Sequence, residues 1–386
     1  MTLTILIAPS GFKESLSVND VTCAIAEGVR RAMPDACILS APMVDGGEGT
    51  TKALVEATGG RLHHATVTGP VGDPVPGFWG ELGGAGPRTA VIEMAAAAGL
   101  SLVPRDRRDP TLTTSRGVGE LILRALDEGA ERILIGCGDS GINDGGAGMA
   151  CALGARLFDK AGRELPEGGG ALERLSQIDL AGLDPRLAHV RIDAAVNWHN
   201  MLLGPKGVAR VFGPQKGATP DQVQLLDRAM ETWAKQIWVA TGKNVGSLPG
   251  AGASGGLGAG LVAFAGASLH PRFDIMREYL DFERLLDCAD LVITAEGSLD
   301  GQSPYGKVPC EVGRIAAARG IPTIALAGTI GQGASETFQH GIAAFASIVK
   351  RPCTLEEAIR MGDKLLRRAA EDTMRMLQVG QRLALR

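Results

Sequence analysis

Aromatic side chains are scarce in this chain, 4% of 386 residues. A basic excess is missing as well. Lys and Arg number 39 against 43 Asp and Glu, for a formal net charge of -4, so no positive field exists to attract nucleic acid. No apolar run is long enough to span a bilayer. The opening MTLTILIAPSGFKES has no basic run and too short an apolar stretch for a secretory leader, and Ile5, Leu6 and Ile7 are expected to form a buried first strand. No C-x-x-C pair occurs among the seven cysteines, and their number is odd, which predicts reduced thiols and a cytoplasmic location. No G-x-S-x-G elbow appears, which disfavours an α/β-hydrolase. The histidines other than His199 show no metal-binding spacing.

What is abundant is glycine, 54 residues, and it clusters behind apolar runs rather than in a repeat. Hydrophobic content of 45% and charged content of 21% suit a globular protein with a sizeable core. The length argues for two domains, or for one with a large insertion. Strands are expected at 3–8, 38–41, 78–81, 90–94, 132–136, 190–196, 291–294, 323–326 and 343–348. Helices are expected at 17–33, 50–57, 117–128, 221–239, 254–267, 309–319 and 355–377, with Ser17 as an N-cap and Asp20 three residues on. Strands alternating with helices predict parallel sheets of flavodoxin- or Rossmann-like character, with ligand loops at strand C-termini. Similar βα units open and close the chain. The expected organisation is therefore an α/β domain formed by residues 1–68 and 288–386, with residues 69–287 inserted as a second α/β domain.

Four glycine-rich, mostly acidic segments follow or lie close behind these strands: VDGGEGTT (44–51), GINDGGAGM (141–149), TAEGSLDGQS (294–303) and GQSPYGKV (301–308). Flexible backbone lets amides approach phosphate oxygens, and carboxylates hold Mg²⁺. Asp45, Glu48, Asp144, Glu296 and Asp300 are candidates to bind the ion or to accept a proton from a hydroxyl. Lys13, on the loop after the first strand, can serve as a point charge for a moving phosphoryl group. GQSPYGK matches the first seven positions of a P-loop, but Val308 replaces the hydroxyl residue, so Lys307 is expected to meet phosphate only through its place before a helix. Residues 250–255, GAGASG, match G-x-G-x-x-G, yet no clear strand precedes them and no ribose-binding acid follows. They are expected to be close helix packing or a phosphate-contacting turn. Each of these features, taken singly, is also common on an ordinary surface.

The ordered blocks APSGFKESLS, DGGEGT, GPVGDP, IEMAAAAGL, NDGGAGMA, GPKGVARVFGPQKGATP, LPGAGASGGLGAGL, ITAEGSLDGQ and GKVP resemble those of the bacterial glycerate kinases that include glycerate 2-kinase. The resemblance runs from the first strand to at least Ser347. It implies two α/β domains, one inserted into the other. It also implies transfer of the γ-phosphoryl of ATP to a hydroxyl of D-glycerate with Mg²⁺, usually giving 2-phosphoglycerate. Small-molecule hydroxy acid and ATP are then the expected partners, with neither nucleic acid nor membrane, and the assembly left open is a homodimer.

Residue type within the blocks assigns roles: Lys13, Asp45, Asp144 and Asp300 to catalysis, with Glu296 and Asp300 on the metal. Ser10, Asn143, Asn197, His199 and Asn200 fall to the acceptor. Gly46, Gly47, Ser140, Gly255, Gly256 and Lys307 fall to the nucleotide. Departures from the family pattern concern Ser10 and Gly11, which replace Asp and Ser; Asp139 and Ile142, the latter for Thr; and residues 196–202. There Asn197 and His199 stand where the family has two carboxylates. That block leaves room for a different small hydroxy acid as acceptor, or for a non-catalytic, ligand-binding relative.

Overall fold

A computed structural model of the chain describes residues 3–12 and 15–384. Its strands are, in order, β1 (Thr4–Ile7), β2 (Cys37–Ser40), β3 (Arg61–Thr68), β4 (Pro74–Glu81), β5 (Thr89–Glu93), β6 (Arg132–Gly136), β7 (Arg156–Phe158), β8 (Gln177–Asp179), β9 (Arg191–Val196), β10 (Ser268–Pro271), β11 (Leu291–Leu299), β12 (Thr323–Ile330) and β13 (Ile342–Ser347). The chain divides into two α/β units, one of residues 1–44 and 276–386, the other of Asp45–Ile275.

The unit made by the chain ends holds a five-stranded sheet in the order β13-β12-β11-β1-β2, parallel throughout. Ile5, Ile7 and Ile293 are wholly buried in it, each worth about 1.5–3 kcal/mol by removal from water. The helix Val18–Ala32 starts with a complete capping box, Ser17 and Asp20 each accepting from the other's backbone. It lays Val21, Ile25 and Val29 on the sheet beside Leu366, Ala370 and Met374 of the last helix. That last element is not one helix over 355–377. It is a short helix, Leu355–Arg360, and a long one, Gly362–Ala384.

The inserted unit holds a six-stranded sheet, β10-β9-β6-β5-β4-β3. Its first four strands are parallel, and β4 and β3 add an antiparallel edge. The boundary expected near 68 lies upstream, because β3 pairs with β4 along its whole length and so belongs to this unit. The boundary expected near 288 likewise moves to 275/276. Ile92, Leu121, Ile122, Ile133 and Leu257 form the main core, and Met230, Trp233, Ile237 and Phe264 a second one. The helix Pro220–Thr241 carries Trp233, whose Nε1 donates to the Gly145 carbonyl at 2.9 Å and so pins the loop after β6.

Candidate active site

In parallel sheets ligands collect at the C-terminal ends of strands. In the inserted unit those ends carry the DGGEGT and NDGG loops. The first is already filled by the protein's own acids. The amide of Gly47 donates to Asp45 Oδ1 (3.2 Å), that of Glu48 to Asp139 Oδ2 (2.9 Å), and those of Gly49 and Thr51 to the two oxygens of Glu93 (3.2 and 2.9 Å). Glu93 ends β5 and is buried, which raises its pKa against the pull of the Thr51 and Gly49 amides. A phosphate here would displace carboxylates and meet their charge. Gly46, expected at the nucleotide, also has a packing role: a side chain there would crowd the Cys137 amide and the Ala195 carbonyl. Glu48 accepts from the Ser101 hydroxyl at 2.5 Å. Asp45 itself is 70% exposed, with Arg272 Nη1 at 3.5 Å.

Asp144 is not placed to take a proton from a substrate. It is wholly buried, and Oδ2 accepts from the Ser115 amide (2.7 Å), the Ser115 hydroxyl (2.7 Å) and the Gly148 amide (3.0 Å), while Oδ1 accepts from the Gly146 amide (3.1 Å). Burial raises its pKa and these donors oppose the rise. Asp144 is the clasp that ties the Thr111–Ser115 segment to the NDGG loop.

Its neighbour Asn143 is the informative one. The side chain is fully buried, and neither its amide nitrogen nor its oxygen has a hydrogen-bond partner among the described residues. Against the Ile142–Asn143 backbone lies the segment Ser254–Gly256. Expected as helix, these three residues instead have φ of 52°, 72° and 88°. Glycine is needed at 255 both for this left-handed backbone and because a side chain there would collide with the Ile142 carbonyl. Gly255 and Gly256 thus bring the loop against the Ile142–Gly145 backbone, and the Gly145 amide donates to the Gly255 carbonyl at 2.9 Å. The Ser254 hydroxyl is buried beside them, also without a partner among the described residues.

Lys216, which sequence reasoning did not select, completes the group. It is 2% exposed, and its Nζ donates to Ser140 Oγ (2.9 Å) and the Ile142 carbonyl (2.5 Å). Burial lowers its pKa to about 7, with Asp144 opposing. Its signal was present in the block VFGPQKGATP, a single cation between glycines, but a lysine on a turn reads as solvated. Ser140, expected at the nucleotide, is held as an acceptor for this ammonium.

Asn197, His199 and Asn200 build a turn. Asn197 Oδ1 accepts from the His199 amide (3.1 Å), the Asn200 amide donates to the Asn197 carbonyl (3.0 Å), and the Asn200 carbonyl accepts from Gly252 (3.0 Å). His199 and Trp198 are exposed.

In the unit of the chain ends, Glu296 lies within β11, opposite Ala327, rather than in a loop, because β11 and β12 stay paired as far as Leu299 and Ile330. Asp300 follows directly. Lys307 Nζ stands 3.3 Å from Asp300 Oδ1, 3.2 Å from the Ser298 carbonyl and 3.9 Å from Glu296 Oε2, just before the helix Val308–Ala317. The Gln302 amide, and then the Lys307 ammonium, hold the Asp300 carboxyl below its usual range. The Ser10 hydroxyl donates to the Ala295 carbonyl at 3.0 Å. Lys13 lies outside the described residues. Among the described residues no group of three or more His, Cys, Asp or Glu side chains is arranged to hold a metal ion, and no helix is long and apolar enough to cross a membrane.

Comparison with known proteins agrees with this architecture. Residues 5–378 match the glycerate kinase family. The chain belongs to the glycerate kinase family. It is 46% identical to the glycerate kinase of Bacillus subtilis (strain 168), over 99% of this chain and 100% of that one. It is 47% identical to the glycerate 2-kinase of Escherichia coli (strain K12), again over 99% and 100%. A crystal structure from Salmonella typhimurium LT2, provisionally named glycerate kinase 2, superposes with a TM-score of 0.87 at 46% identity, covering 99% of this chain and 100% of that one. Family membership makes the chain a kinase with a small-molecule substrate.

Proposed function

We propose that the chain phosphorylates D-glycerate with Mg-ATP, giving 2-phosphoglycerate, in the cytoplasm. The observation that carries this is the group Lys216, Asn143 and Ser254. A buried ammonium stands on a loop whose neighbouring amide and hydroxyl have no partner among the described residues. Such groups cost about 1–3 kcal/mol each when left unmade, and a polyhydroxylated acid supplies their partners. Family membership and the E. coli relative's name support the acceptor and the position. The free thiols of all seven cysteines support the location.

In the reaction a glycerate hydroxyl oxygen attacks the γ-phosphorus. The new O–P bond forms as the bridging O–P bond breaks, ADP leaves, and the hydroxyl proton passes to a base. Asp45 takes that role in place of Asp144, since it is exposed and one oxygen is fixed by the Gly47 amide. Lys307 and Lys13 offset charge on the transferred group. Asp300 and Glu296 offer the hard oxygen donors that Mg²⁺ takes, one or two carboxylates completed by water and phosphate. Bound there, the ion would neutralise phosphate charge. The test is ADP release with and without D-glycerate, with the product resolved against both phosphoglycerate standards. Turnover without D-glycerate dependence, or a 3-phospho product, counts against the proposal.

A further inference from the structure

Beside this group lies a cavity of about 380 Å³ lined by Val71, Asp106, Arg107, Arg108, Asp109 and Leu112, with Thr113. Arg107 is committed, pairing with Asp73 and the Val71 carbonyl. Asp109 is committed too, accepting from the amide and hydroxyl of Thr111. Arg108 is different: its buried Nε has no hydrogen-bond partner among the described residues. The Thr113 hydroxyl is likewise unpartnered in a residue 2% exposed. Arg108 abuts the segment that carries Lys216, because the next residue, Gly217, packs so tightly on Arg108 that a side chain there would strike its carbonyl. The Asp144 clasp on Ser115 ties Thr113's segment to the same loop.

We infer that Arg108 and Thr113 bind the carboxylate of the acceptor, so that the cavity selects short hydroxy acids over uncharged polyols. A planar guanidinium fits a carboxylate, and a hydroxyl adds one more donor. A monoanion is favoured over a polyphosphate because Asp106 and Asp109 line the same cavity and repel a multiply charged group more strongly than a singly charged one. The inference rests on the D-glycerate proposal and names the determinant of its substrate class.

The test measures steady-state kinetics and thermal unfolding for the wild type, Arg108→Gln and Thr113→Val. Arg108→Gln is expected to raise KM for D-glycerate about tenfold or more and to leave KM for ATP within about twofold. Thr113→Val is expected to raise the same KM several-fold while Tm stays level or rises, since an unpartnered buried hydroxyl is replaced by a methyl group. This pairing separates binding from misfolding. Unchanged KM for glycerate in both variants overturns the inference, as does a loss confined to ATP, which would make the cavity a phosphate site. If the wild type does not turn over D-glycerate, the kinase proposal fails by itself. Thermal shift with D-glycerate, glycolate and lactate then decides the cavity alone: stabilisation of the wild type but not of Arg108→Gln supports it, and stabilisation of neither overturns it.

Discussion

Replacing Asp144 separates two roles that one acidic residue in a glycine-rich loop can have. In Asp144→Ala three backbone amides and the Ser115 hydroxyl lose their acceptor in a site closed to water. At about 1–3 kcal/mol for each stranded group, with partial relaxation, the loss comes to about 4 kcal/mol. For a unit of this size that lowers Tm by roughly 10 °C. Asp144→Asn keeps one oxygen for the three donors now shared by Oδ2 but turns an NH₂ toward the Gly146 amide, so about 2 kcal/mol and roughly 5 °C are expected. Calorimetry gives the stability, and rates are read well below the transition. There, Asp144→Asn should keep kcat/KM within about threefold of wild type. A general base is worth about 10²–10⁴-fold. An Asp144→Asn protein with unchanged Tm and a rate down by a hundredfold would make Asp144 the base and refute its assignment as a clasp.

Lys216, with a folded pKa lowered to about 7 from an ordinary 10.5, binds fewer protons folded than unfolded in that window; stability should rise from pH 7 toward pH 10, a slope that Lys216→Met removes in urea titrations. Asp300→Asn should lower kcat more than tenfold, since one such charge typically contributes at least ~2 kcal/mol, and excess EDTA should abolish turnover; unchanged kinetics would leave Asp300 a turn residue. The pair Asn197→Asp and His199→Asp should change kcat/KM for D-glycerate less than about threefold, because these residues form an exposed turn. A tenfold gain would place that turn at the acceptor.

The elements legible in the sequence were those whose pattern is local. Ile5–Ile7 and Ile133–Ile135 announce buried parallel strands by continuous apolar runs, and Ser17 with Asp20 announces a helix start. β3 was not legible because an edge strand with one mostly exposed face shows no clean alternation in RLHHATVT. The site divides the same way. Its loops could be seen, since acid and glycine recur together. Which acids face solvent could not, because that depends on distant partners: Ser115 for Asp144, Glu93 for the DGGEGT amides. The burial of Lys216 likewise comes from Ser140 and Ile142, far away along the chain.

The pairing of β1 with β11 has a consequence for how the chain is made. Thr294 donates its hydroxyl to the Ala8 carbonyl across 286 positions of sequence, so the first strand leaves the ribosome long before its neighbour exists. The continuous stretch Asp45–Ile275 is complete earlier and can fold as a unit during synthesis. Its two ends are fastened together, since Arg272 donates to the Asp45 carbonyl at 3.2 Å. Once folded, it shortens the closure between Ala8 and Thr294 from 286 positions to roughly 55, those of 9–44 and 276–293. On the logarithmic law for loop closure this saves about 1.5 kcal/mol of chain entropy. Folding of the inserted unit thereby lowers the entropic barrier to the other sheet, and a lesion that delays it leaves an early apolar strand exposed to aggregation.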